Sequence, residues 1–196
     1  MHINSHFAIG VSIASALNIF YTFSILEYLI IVVFSFICDF DVFFSKYAID
    51  HNHRMLISHS LIPSIILILL GLIFNWIVLV ISGIVYSIHI IIDTIDWGTN
   101  IFFFNKKPIG LKLLITKEEQ ENLPKYLANY NKKESFFDSK YYSNKICIAI
   151  EVSLFIIMII SLLVFTPNYF LISIFYFLGL YFHLSRHFHL KKAENR

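Results

Sequence analysis

Charge is what this chain is short of. Lys, Arg, Asp and Glu make up 14% of its 196 residues, while 58% are hydrophobic and the mean hydropathy is +0.72. An ordinary soluble domain of this length has no use for so much apolar surface, so a membrane protein is the expected class. Cysteine is scarce as well. Cys38 and Cys147 stand alone with no Cys-x-x-Cys pattern, at helix ends expected in a reducing compartment, which argues against a structural disulfide or a thiolate zinc site. Lys and Arg are missing ahead of Ala14-Ser15-Ala16, so the small residues there read as part of a helix rather than as the cleavage site of a signal peptide. No helix-turn-helix or stacking-sheet pattern accompanies the basic residues, and nucleic acid is not expected as a partner.

What is there begins with five nearly charge-free stretches, 7–38, 55–74, 76–95, 146–165 and 169–184. About 20 residues cross a hydrocarbon core, so 7–38 is too long for one helix. Asn18, Tyr21, Ser24 and Glu27 mark a break near 20–27. The expected fold is all-α: a single polytopic membrane domain over 1–196, with about six transmembrane helices paired as hairpins. The tips fall near 20–27, 71–76 and 166–168, two of them rich in turn formers.

The remaining polar segments then share one side: the N-terminus, residues 39–54, a loop over 97–145 and a basic tail over 185–196 that follows a C-terminal hairpin at 146–184. The loop holds nine Lys, at 106, 107, 112, 117, 125, 132, 133, 140 and 145, against five acids, and the tail adds Arg186, Lys191, Lys192 and Arg196. By the positive-inside rule this side is cytoplasmic, which places the protein in the cell (inner or plasma) membrane with membrane lipids as its partners. Thr116 and Glu119 fit a capping box for a short helix near 116–130.

Metal-competent residues gather at the same level. His6 opens the first helix, Asp39 and Asp41 close the second, His59 opens the third, and His89 with Asp93 lies near the end of the fourth. Ionisable groups beside an apolar phase persist mostly when they bind something or each other. His89 and Asp93 share a helix face at a Cβ spacing of about 6 Å and can hold a cation together, or lock helix packing as a hydrogen-bonded couple. Asp39-x-Asp41 offers two hard oxygen ligands, or two solvated acids at a helix end. Ser60 suits the N-cap of the third helix, with Pro63 in its first turn. Arg54 suits either a phosphate clamp beside a metal or a snorkelling basic residue. His183, His187 and His189, mixed with Arg186, Lys191 and Lys192, read as an interfacial anchor.

The order His6, Asp39-x-Asp41, His53-Arg54, Ser58-His59-Ser60-Leu61, His89-x-x-x-Asp93, then Gly98 and Pro108, resembles the YdjM-type, LexA-regulated family of membrane-bound metal-dependent hydrolases over residues 1–110. The resemblance implies an all-helical inner-membrane protein in which His6, Asp39, Asp41, His59, His89 and Asp93 bind metal, Arg54 supports them, and the activity is hydrolysis. Where that pattern runs on to a Thr three residues after Asp93, this chain has Asp96.

The expected function is hydrolysis of a phosphoester, with a lipid among the candidate substrates, by water activated at one or two zinc or manganese ions. Asp41 is expected to bridge ions or act as base, and Arg54 to stabilise phosphoryl charge. Ser58, Ser60, His53 and Asp96 are expected to stand behind the ligands. The alternative is a non-catalytic membrane protein whose charges form an ion or proton pathway or serve a scaffold. Clustering at one level favours the hydrolase.

Overall fold

The computed structural model describes residues 2–105 and 107–195. Lys106 and Arg196, counted above among the basic residues, lie outside the described residues. The described chain is helical throughout, with one isolated bridge between Thr99 and Ile109.

Four helical runs are long and apolar enough to cross a membrane: α1 (Ile3–Tyr21), α4 (Ile77–Asp96), α8 (Lys145–Phe165), and the run Pro167–Glu194 that contains α9 (Ser173–Glu194). They mark the chain as a membrane protein. The other two apolar helices are shorter than a full span, α2 (Ile25–Phe34) having 10 residues and α3 (Leu61–Ile73) 13.

The missing length has a local cause. After α2 the chain enters a 3-10 helix, Ile37–Tyr47, and then a series of three-residue 3-10 turns that ends at His59. The polar side chains of this stretch bond to one another and to α4 instead of supporting a continuous α ladder. Helix α3 starts at Leu61 with Ser60 as its N-cap, as the sequence indicated, the Ser60 Oγ accepting from Ile62 N.

The hairpin tips lie as the turn residues indicated. Between α1 and α2, Thr22 takes a left-handed conformation, and Ser24 and Glu27 form a capping box. Between α3 and α4, Asn75 takes positive φ. The tips at 22–24 and 166–169 touch, with Tyr169 OH donating to Phe23 O at 2.8 Å. Ser15 on α1 bonds both Tyr28 OH (2.6 Å) and Thr166 Oγ1 (2.8 Å), so this end of the bundle satisfies its buried hydroxyls internally.

Helix α1 packs against α2, α4, α8 and α9. Its small residues Ala8, Val11 and Ala14 meet Ile31 and Val32 of α2, Val78 and Val85 of α4 and Leu162 of α8 in one buried cluster. Outward faces are apolar too: Ile160, Leu163 and Val164 of α8 and Phe182 of α9 are all more than half exposed, as lipid-facing positions would be. The sequence 97–145 forms three short helices, α5 (Lys117–Glu121), α6 (Leu123–Leu127) and α7 (Lys133–Ser143), and the Thr116/Glu119 capping box is present. The segment read as a basic tail continues α9 to Glu194, whose carboxylate accepts from the backbone N–H groups of Asn131 and Lys132.

The α3–α4 hairpin matters most for the site, because it fixes His59 relative to His89 and Asp93. It closes on two glycines. A Cβ on Gly71 would sit 2.6 Å from Val80 N, and one on Gly83 would sit 2.7 Å from Ser64 O. Such small-residue contacts let membrane helices approach backbone to backbone. Gly83→Leu is therefore expected to prise the hairpin open, costing about 1–3 kcal/mol of stability. Thermal unfolding in detergent should show a lowered midpoint, and an unchanged midpoint would contradict this packing.

Candidate metal centre

Asp93 stands at the centre of the polar end of the bundle. It is fully buried, and its two oxygens face different partners: Oδ1 lies 3.1 Å from His6 Nε2, and Oδ2 lies 3.1 Å from His59 Nε2 and 3.5 Å from His89 Nε2. Asp39 completes the group, its Oδ1 being 3.5 Å from His89 Nε2 and 3.9 Å from His59 Nε2. The rings of His6 and His89 stack at a centroid distance of 3.5 Å.

The imidazoles are oriented from behind. His89 Nδ1 donates to the Ser35 carbonyl at 2.8 Å, so its proton is on Nδ1 and its Nε2 lone pair points at the carboxylates. His59 Nδ1 donates to Asp41 Oδ2 at 2.9 Å, which turns Nε2 toward Asp93 and Asp39. Asp41 is itself held, by Ser58 Oγ donating at 2.6 Å and by His53 Nδ1 at 2.8 Å. Carboxylate–histidine pairs of this kind commonly set ring orientation in metal sites. Burial works to raise the Asp41 carboxyl, and the bonds from His53, His59 and Ser58 outweigh it, holding it at about 2. Burial opposes charge on His59, and Asp41 and Asp93 overcome it, raising its affinity for a proton. A proton and a metal ion compete for that same Nε2 lone pair.

Three buried atoms of these residues are left over. His6 Nδ1, His89 Nε2 and Asp39 Oδ2 have no hydrogen-bond partner among the described residues, although buried polar atoms nearly always have one. Ligand atoms of His6, Asp39, His89 and Asp93 all lie within 4.8 Å of one another, and so do those of Asp41, His53 and His59. The residues present thus fit a cation: inward nitrogen lone pairs face anionic oxygens, and the orphaned His89 Nε2 and Asp39 Oδ2 point to the same place. Mixed imidazole and carboxylate donors suit a borderline divalent ion.

Arg54 departs from the expected phosphate clamp. It is 7% exposed, and its fork is taken by Asp96, Nη1 to Oδ1 at 2.7 Å and Nη2 to Oδ2 at 3.2 Å, with Nη2 also 3.3 Å from Asp93 Oδ2. Burial works against its charge, and Asp93 and Asp96 more than offset this, so it stays protonated. Its geometry is that of a brace that neutralises and positions Asp93. Asp96 also accepts from Trp97 N, and Gly98, at φ +80, ends α4 and sends the chain back. Thr99 and Asn100 then bind the backbone around Arg54 and His59, with Asn100 N donating to Arg54 O at 3.1 Å and Thr99 Oγ1 reaching His59 O at 3.0 Å.

Ser60 Oγ donates to Ile57 O and accepts from Ile62 N at the start of α3, and no hydrogen bond from it to a candidate ligand is found among the described residues. Cys38 was missed from sequence. Its buried sulfur joins His59 and His89 in a third group with ligand atoms within 4.8 Å. The signal was its place beside Asp39, one 3-10 turn before Asp41. The C-terminal histidines do not converge: His183 stacks on His2, His187 bonds Asp138 at 2.6 Å, and His189 meets Lys132.

Comparison with known proteins finds no matching family model, no matching curated protein and no matching solved structure.

Two outcomes follow from this geometry. Elemental analysis of purified protein should find divalent metal in the wild type and a large loss in His89→Ala and Asp93→Ala, and equal metal in all three would sink the centre. Arg54→Ala removes a buried guanidinium from beside Asp96 and Asp93 and is expected to destabilise by about 3–5 kcal/mol, so a stability like that of the wild type in denaturation would contradict the bracing role.

Proposed function

We propose that this protein is a membrane-bound, metal-dependent hydrolase of a phosphoester, similar in design to the YdjM-type family. The observation that carries the reading is the pair of inward-facing Nε2 atoms, His59 and His89, set against Asp39 and Asp93, with His89 Nε2 and Asp39 Oδ2 left without a hydrogen-bond partner among the described residues. His6, Asp39, His59, His89 and Asp93 would hold one or two zinc or manganese ions, and Asp93, with an oxygen toward each side, is placed to be shared. A bound divalent cation supplies Lewis-acid polarisation of a phosphoryl oxygen and activation of water.

The chain's own groups do the rest. Asp41 holds the His59 ring through Nδ1, and His53 and Ser58 hold Asp41. Arg54 pairs with Asp93 and Asp96 and holds both carboxylates in place. Asp39, which keeps a free Oδ2 and is more exposed than the histidines around it, takes the proton from the attacking water. The water oxygen bonds to phosphorus, the P–O bond to the alcohol breaks, and the alcohol leaves with the proton that Asp39 took from the water.

An ion pathway would need polar groups through the depth of the bundle. Away from the centre Ser15 bonds Tyr28 and Thr166, and Ser64 bonds Ser87, uncharged hydroxyls that pair with each other, and this supports the hydrolase. In the arrangement we propose, α2 and α3 complete six membrane helices in the cell membrane, with the metal centre, the 97–145 loop and the end of α9 on the cytoplasmic side where Lys and Arg concentrate.

The reading is tested on purified protein with a panel of phosphate monoesters and diesters, with and without chelator. Turnover should require metal and vanish in Asp93→Asn. Chelator-insensitive turnover, or none on any phosphoester by metal-loaded protein, would overturn it. Orientation is tested by labelling Lys125→Cys and Asn168→Cys in intact cells. Only position 168 should react from outside, and labelling at 125 alone would reverse the topology.

A further inference from the structure

The metal centre is closed on most sides. The side chains of His6, His59, His89 and Asp93 have no exposed surface, whereas Asp39 keeps 16% and His53 25%. The opening therefore lies along the 3-10 stretch that carries these two residues, and whatever enters must pass its outer surface.

That surface is aromatic. A 3-10 helix repeats every three residues, so side chains at i and i+3 align. In Ile37–Tyr47 the pair Cys38 and Asp41 faces inward and is buried. Ile37, Phe40 and Phe43 form the next row, 40%, 49% and 75% exposed, and Phe44 and Tyr47, further along the row of Cys38 and Asp41, emerge from the fold at 59% and 72% exposed. The same residues that aim Asp41 at His59 thus present an aromatic ridge outward. Burying each such side chain is worth about 1.5–3 kcal/mol, so a ridge of this size does not rest against water.

A second apolar tip rises from the same anchor. Asn100 N bonds Arg54 O, and Ile101 O accepts from Leu61 N, so the backbone on both sides of His59 is tied to the start of the 102–104 loop. Phe102 and Phe104 of that loop are 59% and 84% exposed. Exposed Lys46, beside the Tyr47 ring at 4.8 Å, and exposed Lys107 flank the two aromatic groups. Aromatic faces edged by lysine match the boundary between acyl chains and anionic headgroups.

We propose that the Ile37–Tyr47 helix and the Phe102–Phe104 tip lie in the lipid interface as a rim around the metal centre, which is loaded sideways from the membrane by a lipid phosphoester. The phosphate enters at Asp39 and His53, and the acyl chains lie along Phe40 and Phe43. This rests on the hydrolase reading and narrows its substrate to an amphiphile. The reaction remains hydrolysis, with water adding to phosphorus and the lipid alcohol leaving.

Two measurements on the full chain in phosphatidylcholine nanodiscs test it separately. Spin labels go on Phe43→Cys, Phe104→Cys and Lys125→Cys, the native Cys38 and Cys147 being buried. Relaxation by oxygen should exceed relaxation by a water-soluble nickel chelate at 43 and 104, with the reverse at 125. Dominance of the nickel chelate at 43 and 104 overturns the rim. Phosphate release is then compared between phosphatidic acid in the disc and glycerol 3-phosphate, the same monoester without chains. The lipid should be the better substrate, and Phe43→Ser with Phe44→Ser should slow its turnover about tenfold at unchanged metal content, leaving the soluble ester unaffected. Equal loss on both esters, or preference for the soluble one, overturns the lateral loading. Lipid-exposed labels with no release from either ester would overturn the hydrolase reading and leave the immersed rim standing.

Discussion

The structure turns on a carboxylate that cannot be left alone. Asp93 is buried in the last turns of α4, and an unpaired charge there would cost several kcal/mol. His6 comes to it from α1, Arg54 and His59 from the 3-10 turns, and His89 from one turn earlier on α4. Elements distant in sequence are held in register by what they must supply to one group. The 3-10 conformation of residues 37–59 fits this role, because it places Asp39, Asp41, Arg54 and His59 where an α-helix through the same residues would scatter them.

The arrangement also separates positioning from binding. Asp41, His53 and Ser58 form a layer that hydrogen-bonds His59 through Nδ1, and the Ser35 carbonyl does the same for His89. Each Nε2 is thereby committed to the interior. Arg54 and Asp96 form a further layer behind Asp93. A centre built in layers keeps its shape with or without its ion, which is what a site needs if ligand atoms are to stay poised.

Much of this was legible in the sequence. Hairpin tips were marked by Ser24, Glu27, Asn75 and Pro167, and the convergence of His6, Asp39, His59, His89 and Asp93 on one end followed from counting helices. Local caps at Ser60 and Thr116 were readable because they depend on neighbours three residues away. What was not legible depends on contacts across the fold. Arg54 reads as a free cation until Asp96 is seen beside it. Cys38 carries no motif, and only the 3-10 turn brings it toward His59 and His89. The 3-10 path that follows α2 was not legible, because it depends on contacts that Asp39, Asp41 and His59 make across the fold. The C-terminal histidines looked like a cluster because they are close in sequence, but α9 spreads them over three different neighbours.

The hydrogen bond between Ser15 and Thr166 joins residues 151 positions apart, and it has a bearing on how the protein is made. Helix α1 is made before α4 and α8, carries Asn4, Ser5, His6 and Ser15 on buried positions, and packs against α8. During synthesis those polar groups have no α4 or α8 to meet them. The growing chain must be sheltered, or α1 must wait loosely at the membrane surface, until α8 has followed it. A helix made ahead of its partners is thus among the last to find its final place.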